Sequence, residues 1–183
     1  MNMKTTLRLK DFYSDLGRLA ECPGESFAGL LESCRKGLAE LCPEGSASLA
    51  LFQKAIAPFS RDQVEEAYLR AFDITPLAVP YLSIHLFGEE NYRRGEFMAR
   101  LLEAYGKAGL DCGGELPDHL SILLQFAAKL EGEERRELLE FCLTEPLQKM
   151  EAPLKRAGHP YEFLLQAIRD VVETDLKREV CHA

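Results

Sequence analysis

The chain has 183 residues, of which 46% are hydrophobic and 28% charged, with a formal net charge of −8 and a pI near 5.1. This length and balance predict one folded domain over residues 1–183, with a core that needs no disulfide bonds. The acidic charge argues against a nucleic-acid binder, because phosphate contacts need a basic face. No apolar run reaches the ~20 residues that a membrane span requires, so we expect no membrane insertion.

The N-terminal segment MNMKTTLRLKDFYSDL has neither the apolar core nor the small-residue cleavage site of a signal peptide, which predicts a cytoplasmic protein. The six cysteines form no Cys-x-x-Cys pair and match no zinc-finger spacing. Cys34 and Cys142 lie on apolar stripes and are predicted to be small buried hydrophobic residues. Cys181 beside His182 would be an exposed thiol, for which adventitious metal binding is the simplest expectation.

Two helices are predicted before residue 45 from the helical spacing of their apolar residues. The first is expected from Leu7 to Ala20 and the second from Glu25 to Leu41. Pro43 and Gly45 are expected to end the second helix.

The next two helices are predicted from their capping residues. Ser46 or Ser48 is expected to cap a third helix that ends near Ala57. Ser60 followed three residues later by Gln63 has the pattern of a capping box, which predicts a fourth helix from Arg61 to Phe72.

The segment Pro80 to Phe87, with the sequence PYLSIHLF, has the strongest strand character in the chain. No partner strand is recognisable elsewhere, and a lone strand leaves its backbone hydrogen-bonding groups unpaired. We therefore predict a short helix there, with Tyr81 and His85 on one face.

The stretch from Tyr92 to Leu130 reads as a helix, a glycine-rich turn at Cys112-Gly113-Gly114 and a second helix. Pro117 suits the first position of that second helix, and Asp118 would place a negative charge in its first turn. Gly95, early in the first helix, predicts the close approach of another backbone.

Two longer helices complete the predicted chain. One is expected from Glu133 to Lys155, with a kink at Pro146, and the other begins at His159-Pro160. The tail after about residue 178 is expected to fray. Together the patterns predict an all-α fold, a single-domain bundle of about seven to nine helices.

No recognised catalytic motif is present. The sequence has no phosphate-cradling loop, no Gly-x-Ser-x-Gly elbow and no His-Glu-x-x-His pair. Asp118 and His119 are adjacent, so on a helix their side chains point about 100° apart and cannot form an acid–base pair. We therefore expect a protein that is not an enzyme.

The pattern Tyr-x-x-Gly-x-x-Met-x-x-Leu-Leu-x-x-Tyr-x-x-x-Gly-Leu runs from Tyr92 to Leu110 and leads into Leu-Pro-Asp-His-Leu at residues 116–120. Upstream, Tyr-Leu-x-x-Phe-Asp occupies residues 68–73, and Leu-x-x-His-x-x-Gly-Glu occupies residues 82–89. The middle third of the chain thereby resembles the NarJ family, the assembly chaperones of respiratory nitrate reductase within the TorD-like group. The usual proline after Leu-Pro-Asp-His-Leu is replaced by Ser121, which leaves the client open.

The resemblance implies a TorD/NarJ-like helical bundle that binds the N-terminal leader of an apo molybdoenzyme catalytic subunit during insertion of the molybdenum cofactor. It implies no stably bound cofactor and no metal, and it leaves a transient contact with the client's molybdenum cofactor open. The client would be nitrate reductase or a related enzyme of the DMSO-reductase superfamily. Either a monomer or a dimer is compatible with this role.

An amphipathic leader segment is expected to lie in an apolar groove between helices, beside the His85 loop and the turn at residues 116–120. The predicted peptide-binding residues are Tyr68, Phe72, Tyr81, His85, Arg94, Met98, Leu116, Asp118 and His119.

Several alternatives remain open at this point. Arg93 and Arg94 either pair with Glu89, Glu90 or Asp118, or contact a partner's acidic group or a cofactor phosphate. Tyr68, Phe72 and Met98 are core residues in the simpler interpretation. At the level of function, the alternatives are a helical thiol or metal sensor that uses Cys112, His119 and His85, and a scaffold subunit that stays in a mature complex.

Overall fold

The computed structural model describes residues 8–180, with side chains up to Arg178. Its helices are α1 Lys10–Leu19, α2 Phe27–Leu38, α3 Pro43–Ile56, α4 Arg61–Phe72, α5 Leu82–Phe87, α6 Arg93–Ala108, α7 Leu120–Ala127, α8 Gly132–Glu137, α9 Thr144–Ala157 and α10 Tyr161–Val180. A π-helical segment, Leu138–Leu143, joins α8 to α9. Residues 132–157 form one continuous helix if its π-helical segment is included, and the described part of the chain then has nine helices. The predicted all-α bundle is confirmed.

The core is continuous through the described residues and is organised around α10. This helix packs against α3 and α9, while α1 packs against α7. Tyr161, at the start of α10, is fully buried, and its ring lies 5.0 Å from Phe52, 6.0 Å from Tyr68 and 5.4 Å from Phe72. These edge-on and tilted ring contacts join α3, α4 and α10.

The capping box predicted for α4 is confirmed. The Ser60 hydroxyl accepts a hydrogen bond from the Gln63 N–H at 3.3 Å, and the Gln63 side chain accepts one from the Ser60 N–H at 2.8 Å. The pair satisfies two backbone donors that a helix N-terminus otherwise leaves unpaired.

The predicted boundary between α2 and α3 is wrong. Helix α2 ends at Leu38, and Pro43 begins α3 instead of ending α2. The Cys42 side chain, not a serine, caps α3 by accepting a hydrogen bond from the Gly45 N–H at 3.4 Å. Proline tolerates the first helical position because its missing N–H would have no partner there.

Ser46 and Ser48 lie inside α3, where they bind neighbouring helices. The Ser46 hydroxyl donates to the Arg35 carbonyl at 2.9 Å, and the Ser48 hydroxyl donates to Asp170 at 2.7 Å. These serines therefore link α3 to α2 and α10.

The irregularity in the long helix lies before Pro146, which occupies the first turn of α9. Over Leu138–Leu143 the backbone winds as a π-helix, and the Leu139 carbonyl accepts from both the N–H and the hydroxyl of Thr144, the latter at 2.9 Å. The prediction of a kink at Pro146 is therefore not confirmed, and the departure from α-helical winding is the π-helical segment that precedes the proline.

Helix α10 continues to Val180, past the predicted start of fraying, and residues 181–183 lie outside the described part of the chain. The expectation for Cys181 and His182 therefore concerns residues that are not described. None of the helices in residues 8–180 is both long enough and apolar enough to cross a membrane.

Candidate functional site

The connections before α5 and before α7 meet in a short backbone pairing, which we call the α5–α7 junction. It comprises residues 79–85 and 115–121 together with Arg94. Tyr81 and His119 form an antiparallel β-bridge. The Leu82 N–H donates to the Asp118 carbonyl, and the Leu120 N–H donates to the Pro80 carbonyl, both at 2.9 Å.

The strand character around Tyr81 thus reflects its pairing with His119. Tyr81 is extended, with ψ of 106°, and the helix predicted from Pro80 begins only at Leu82. The predicted shared helical face of Tyr81 and His85 is therefore wrong, because Tyr81 pairs with His119 instead.

Helix α7 starts later than predicted. Pro117 and Asp118 lie before it, and His119 is its N-cap, with Nδ1 accepting from the Ser121 N–H at 3.2 Å and from the Ser121 hydroxyl at 2.8 Å. An N–H can only donate, so Nδ1 is the acceptor and the remaining imidazole proton sits on Nε2. Burial lowers the pKa of His119, although Glu115 and Asp118 oppose this shift.

Asp118 is fully buried and belongs to a polar chain within the junction. Its Oδ2 accepts a short hydrogen bond from the Ser83 hydroxyl, and the Ser83 oxygen accepts from Arg94 Nε at 2.9 Å. Arg94 also donates through Nη1 to the Glu89 carbonyl at 2.8 Å. The guanidinium is therefore held close to the buried carboxylate, with Ser83 as the intermediate.

Asp118 Oδ1 has no hydrogen-bond partner among the described residues. A buried carboxylate oxygen that accepts no hydrogen bond destabilises the folded state, because it has lost its contacts with water. The Arg94 positive charge, one hydrogen bond away, offsets part of this cost.

Tyr81 and Tyr105 attach the segment before α7 from two sides. The Tyr81 hydroxyl donates to Glu115 at 3.3 Å, and its ring packs edge-on against His119 with centroids 5.5 Å apart. Burial, followed by the nearby Glu115 carboxylate, raises the pKa of Tyr81. Tyr105 of α6 donates to the Pro117 carbonyl at 2.7 Å.

His85 lies at the far end of α5 and faces a different set of partners. Its Nε2 donates to the Val79 carbonyl at 2.8 Å, and its own carbonyl accepts from Lys149 Nζ at 2.7 Å. His85 therefore fixes the loop before α5 and tethers α5 to α9.

The nine predicted residues fall into three groups. Contacts within the junction connect four of them, Tyr81, Arg94, Asp118 and His119. His85 lies at the end of the junction, where it bonds the Val79 carbonyl. Tyr68 and Phe72 are buried in the aromatic cluster around Tyr161, with ring centroids 5.4 Å apart, so their aromatic faces serve the core. Met98 is half-buried, and Leu116 is 45% exposed.

Sequence reasoning missed two junction residues, Ser83 and Glu115. Ser83 is fully buried and joins Arg94 to Asp118. The sequence contained a clue to Ser83, because a serine within the apolar run YLSIHLF predicts a buried hydroxyl that forms a hydrogen bond. Gly95 shows no close neighbour, so the predicted backbone approach there is wrong.

The thiol and metal alternative receives no support from the geometry. Within residues 8–180, no group of three or more His, Cys, Asp or Glu side chains is arranged to hold a metal ion. Cys34 is fully buried and Cys142 is partly buried, as predicted, and burial raises their pKa values to about 12 and about 11. Burial also raises the pKa of Cys112, which makes its reactive thiolate scarcer.

Comparison with known proteins gives the family. Residues 38–167, more than half of the chain, match the model described as nitrate reductase delta subunit. The chain belongs to this family. The match spans the whole α5–α7 junction, and it confirms the resemblance predicted from the sequence motifs.

Two relatives illustrate the range of similarity. A probable nitrate reductase molybdenum cofactor assembly chaperone NarJ from Bacillus subtilis (strain 168) is 29% identical over 129 residues, which cover 70% of this chain and 69% of the relative. A xylose isomerase from Thermus caldophilus is 27% identical over 124 residues, covering 63% of this chain but only 32% of the isomerase. Because this chain spans about a third of the isomerase, that similarity carries no conclusion about activity.

Proposed function

We propose that this delta-family protein is a dedicated assembly chaperone of a molybdoenzyme. It binds the N-terminal leader of the apo catalytic subunit, holds that subunit in the cytoplasm while the molybdenum cofactor is inserted, and then dissociates. The observation that carries the proposal is the family match over residues 38–167, supported by the similarity to the NarJ chaperone.

The role is one of binding, not catalysis. The polar side chains of the junction are engaged with each other: Ser83 lies between Arg94 and Asp118, and His119 is committed to capping α7. None is left as a free nucleophile with an adjacent base, as covalent catalysis requires.

The leader contacts the exposed parts of the junction. Leu116 is 45% exposed and directly follows Glu115, which accepts a hydrogen bond from half-buried Tyr81. Apolar leader side chains pack on Leu116 and Tyr81, while the carboxylate of exposed Glu115 pairs with a basic leader residue. Asp118, Arg94 and His119 act indirectly, because they hold the shape of this surface.

A leader titration with one surface variant tests the proposal. The leader is a synthetic peptide of about 30 residues from the catalytic subunit encoded beside this protein, and we expect micromolar binding to the wild type, about −8 kcal/mol. Leu116→Ser removes apolar contact without a buried cavity, and we expect at least tenfold weaker binding.

Leu51→Ser is the matched control, since Leu51 lies on α3 and is 46% exposed. Equal binding by wild type and Leu116→Ser would place the leader elsewhere on the molecule. Absence of binding to a well-folded wild type would contradict the chaperone role itself.

A further inference from the structure

A groove of about 610 Å³ lies between the C-terminal half of α6, the end of α7, and α8 with the π-helical segment. We call it the α6–α8 groove. None of the nine predicted site residues lines it. On α6 it begins at Ala104, ten residues beyond Arg94, which corresponds to about 15 Å along a helix. It is therefore a surface separate from the α5–α7 junction.

The apolar lining of the groove contains both a projecting side chain and small residues that leave room for one. Phe141 lines the groove from the π-helical segment and is 66% exposed. Ala104 and Ala108 lie one turn apart on α6 and present only methyl groups, so a large side chain of another molecule can approach the helix there. Phe126 and Leu138 also line the groove and are buried. Phe141 and the two alanines are thus suited to a knob-and-hole contact.

The π-helical segment explains why Phe141 is available. A π-helical turn contains an extra residue, so the side chains within it are displaced from the rows of a continuous α-helix. Leu138, Leu139 and Leu143 of the same segment are buried, whereas Phe141 is not. Thr144 fixes this winding through its two hydrogen bonds to the Leu139 carbonyl.

The charged residues of the lining are divided by sign between its two sides. Glu134 and Glu137 belong to α8, whereas Lys107 belongs to α6 and Lys129 lies just beyond α7. All four are exposed, and among the described residues the two glutamates and Lys129 form no ion pair. Lys107 pairs with Glu103 of its own helix at 2.8 Å, and such an exposed pair contributes little to stability. The groove is therefore acidic along α8 and basic along α6 and α7.

This division of charge favours a partner that carries both signs. A basic partner would be repelled by the two lysines, and an acidic partner would be repelled by the two glutamates. In a two-fold contact each surface meets the same surface of the other copy, so every pairing occurs twice. A two-fold axis along the groove brings the basic side of each copy against the acidic side of the other. The same rotation brings Phe141 of each copy, which follows α8, against Ala104 and Ala108 of the other.

We propose that the α6–α8 groove is the two-fold interface of a homodimer. Phe141 of each copy packs on Ala104 and Ala108 of the other, and the two α8 glutamates of each copy pair with the two lysines of the other. One symmetry operation thus satisfies the apolar and the charged residues together. No residue of the α5–α7 junction takes part, so either this proposal or leader binding can fail without the other.

A charge exchange in the full-length protein tests the interface. The double variant Glu134→Lys, Glu137→Lys makes the charged lining entirely basic, and Lys107→Glu, Lys129→Glu makes it entirely acidic. By sedimentation equilibrium we expect the wild type to dimerise and each double variant alone to dimerise at least tenfold more weakly, because like charges then face each other. An equimolar mixture of the two variants should recover the wild-type affinity, since every contact again joins opposite charges. Ion pairs within one copy would not produce this recovery.

Phe141→Ser should weaken dimerisation of the wild type at least tenfold, and it should weaken association of the mixed charge variants equally. Leu102→Ser is the matched control, because Leu102 is 54% exposed on α6 but does not line the groove. Circular dichroism checks that each variant keeps its helices. A wild type that stays monomeric at every concentration, equal effects of the two serine variants, or no association in the mixture would each overturn the proposal.

Discussion

Single buried polar residues hold the α5–α7 junction together. Asp118 is fully buried, yet its carboxylate reaches the Arg94 guanidinium only through the Ser83 hydroxyl. Such an arrangement needs all three members, since loss of one leaves a buried polar group unpaired. At the residue scale, the motif around Asp118 and His119 therefore fixes the backbone segments that carry Leu116 and Tyr81.

His119 predicts a pH dependence of stability. Its pKa is lowered by burial below the ordinary value of 6.5, so the unfolded chain takes up a proton at higher pH than the folded chain. The free energy of unfolding is therefore unaffected by this group well above pH 6.5 and falls as the pH drops below that value. His159, whose pKa is lowered by burial and then by Arg70, contributes in the same direction.

The variant His119→Asn isolates the contribution of His119, because asparagine can still cap α7 but does not titrate. Between about pH 7.5 and about pH 5.5, we expect the urea midpoint to fall less in the variant than in the wild type. His159→Asn provides the comparison for the second imidazole. Identical pH dependence in His119→Asn and the wild type would show that the imidazole is not held neutral by burial.

Helix α4 shows how a local signal positions distant side chains. Its capping box fixes the N-terminus at Ser60, and about two and three turns later Tyr68 and Phe72 enter the aromatic cluster around Tyr161. An error in the start of this helix would rotate both rings away from α10. The cap therefore contributes to core packing as well as to the helix itself.

Ser60→Ala should lower the free energy of unfolding by about 1 kcal/mol, the usual cost of losing a serine N-cap. Ser26 supplies the control, since it occupies the N-cap position of α2 without a side-chain hydrogen bond. Urea denaturation should place Ser26→Ala within about 0.5 kcal/mol of the wild type. Comparable losses in the two variants would mean that the Ser60 hydrogen bonds contribute nothing specific.

The contrast between α4 and α7 shows what the sequence could predict. The start of α4 depends on two residues three positions apart, so it was predicted correctly. The start of α7 was misplaced because the pairing of Tyr81 with His119 and the burial of Asp118 keep Pro117 and Asp118 out of the helix. Tyr81 and His119 are 38 residues apart in the sequence, so rules based on local spacing cannot predict their contact.

The π-helical segment was missed for a related reason. Leu139, Cys142 and Leu143 fit an apolar stripe of an ordinary α-helix, and only the two bonds from Thr144 to Leu139 reveal the changed winding. At the candidate site, residue types indicated segments that the fold brings together, but burial could not be read from them. Tyr68 and Phe72 were therefore open to both interpretations, as core or as groove residues, and their rings complete the core.

At the scale of the whole molecule, the continuous core around α10 supports the α5–α7 junction, which is proposed to take the leader. Helix α6 braces this junction at two points. Arg94, near the start of α6, donates to Ser83, and Tyr105, near its end, donates to the Pro117 carbonyl.

The most direct test of the central claim measures this protein's affinity for two forms of the molybdoenzyme catalytic subunit encoded beside it. One form is the apo subunit and the other carries the molybdenum cofactor. The chaperone account predicts that the apo subunit binds at least tenfold more tightly, about 1.4 kcal/mol, and that loading the cofactor releases this protein. Equal affinity for both forms, with this protein retained in the mature enzyme, would contradict the account and identify a permanent scaffold subunit.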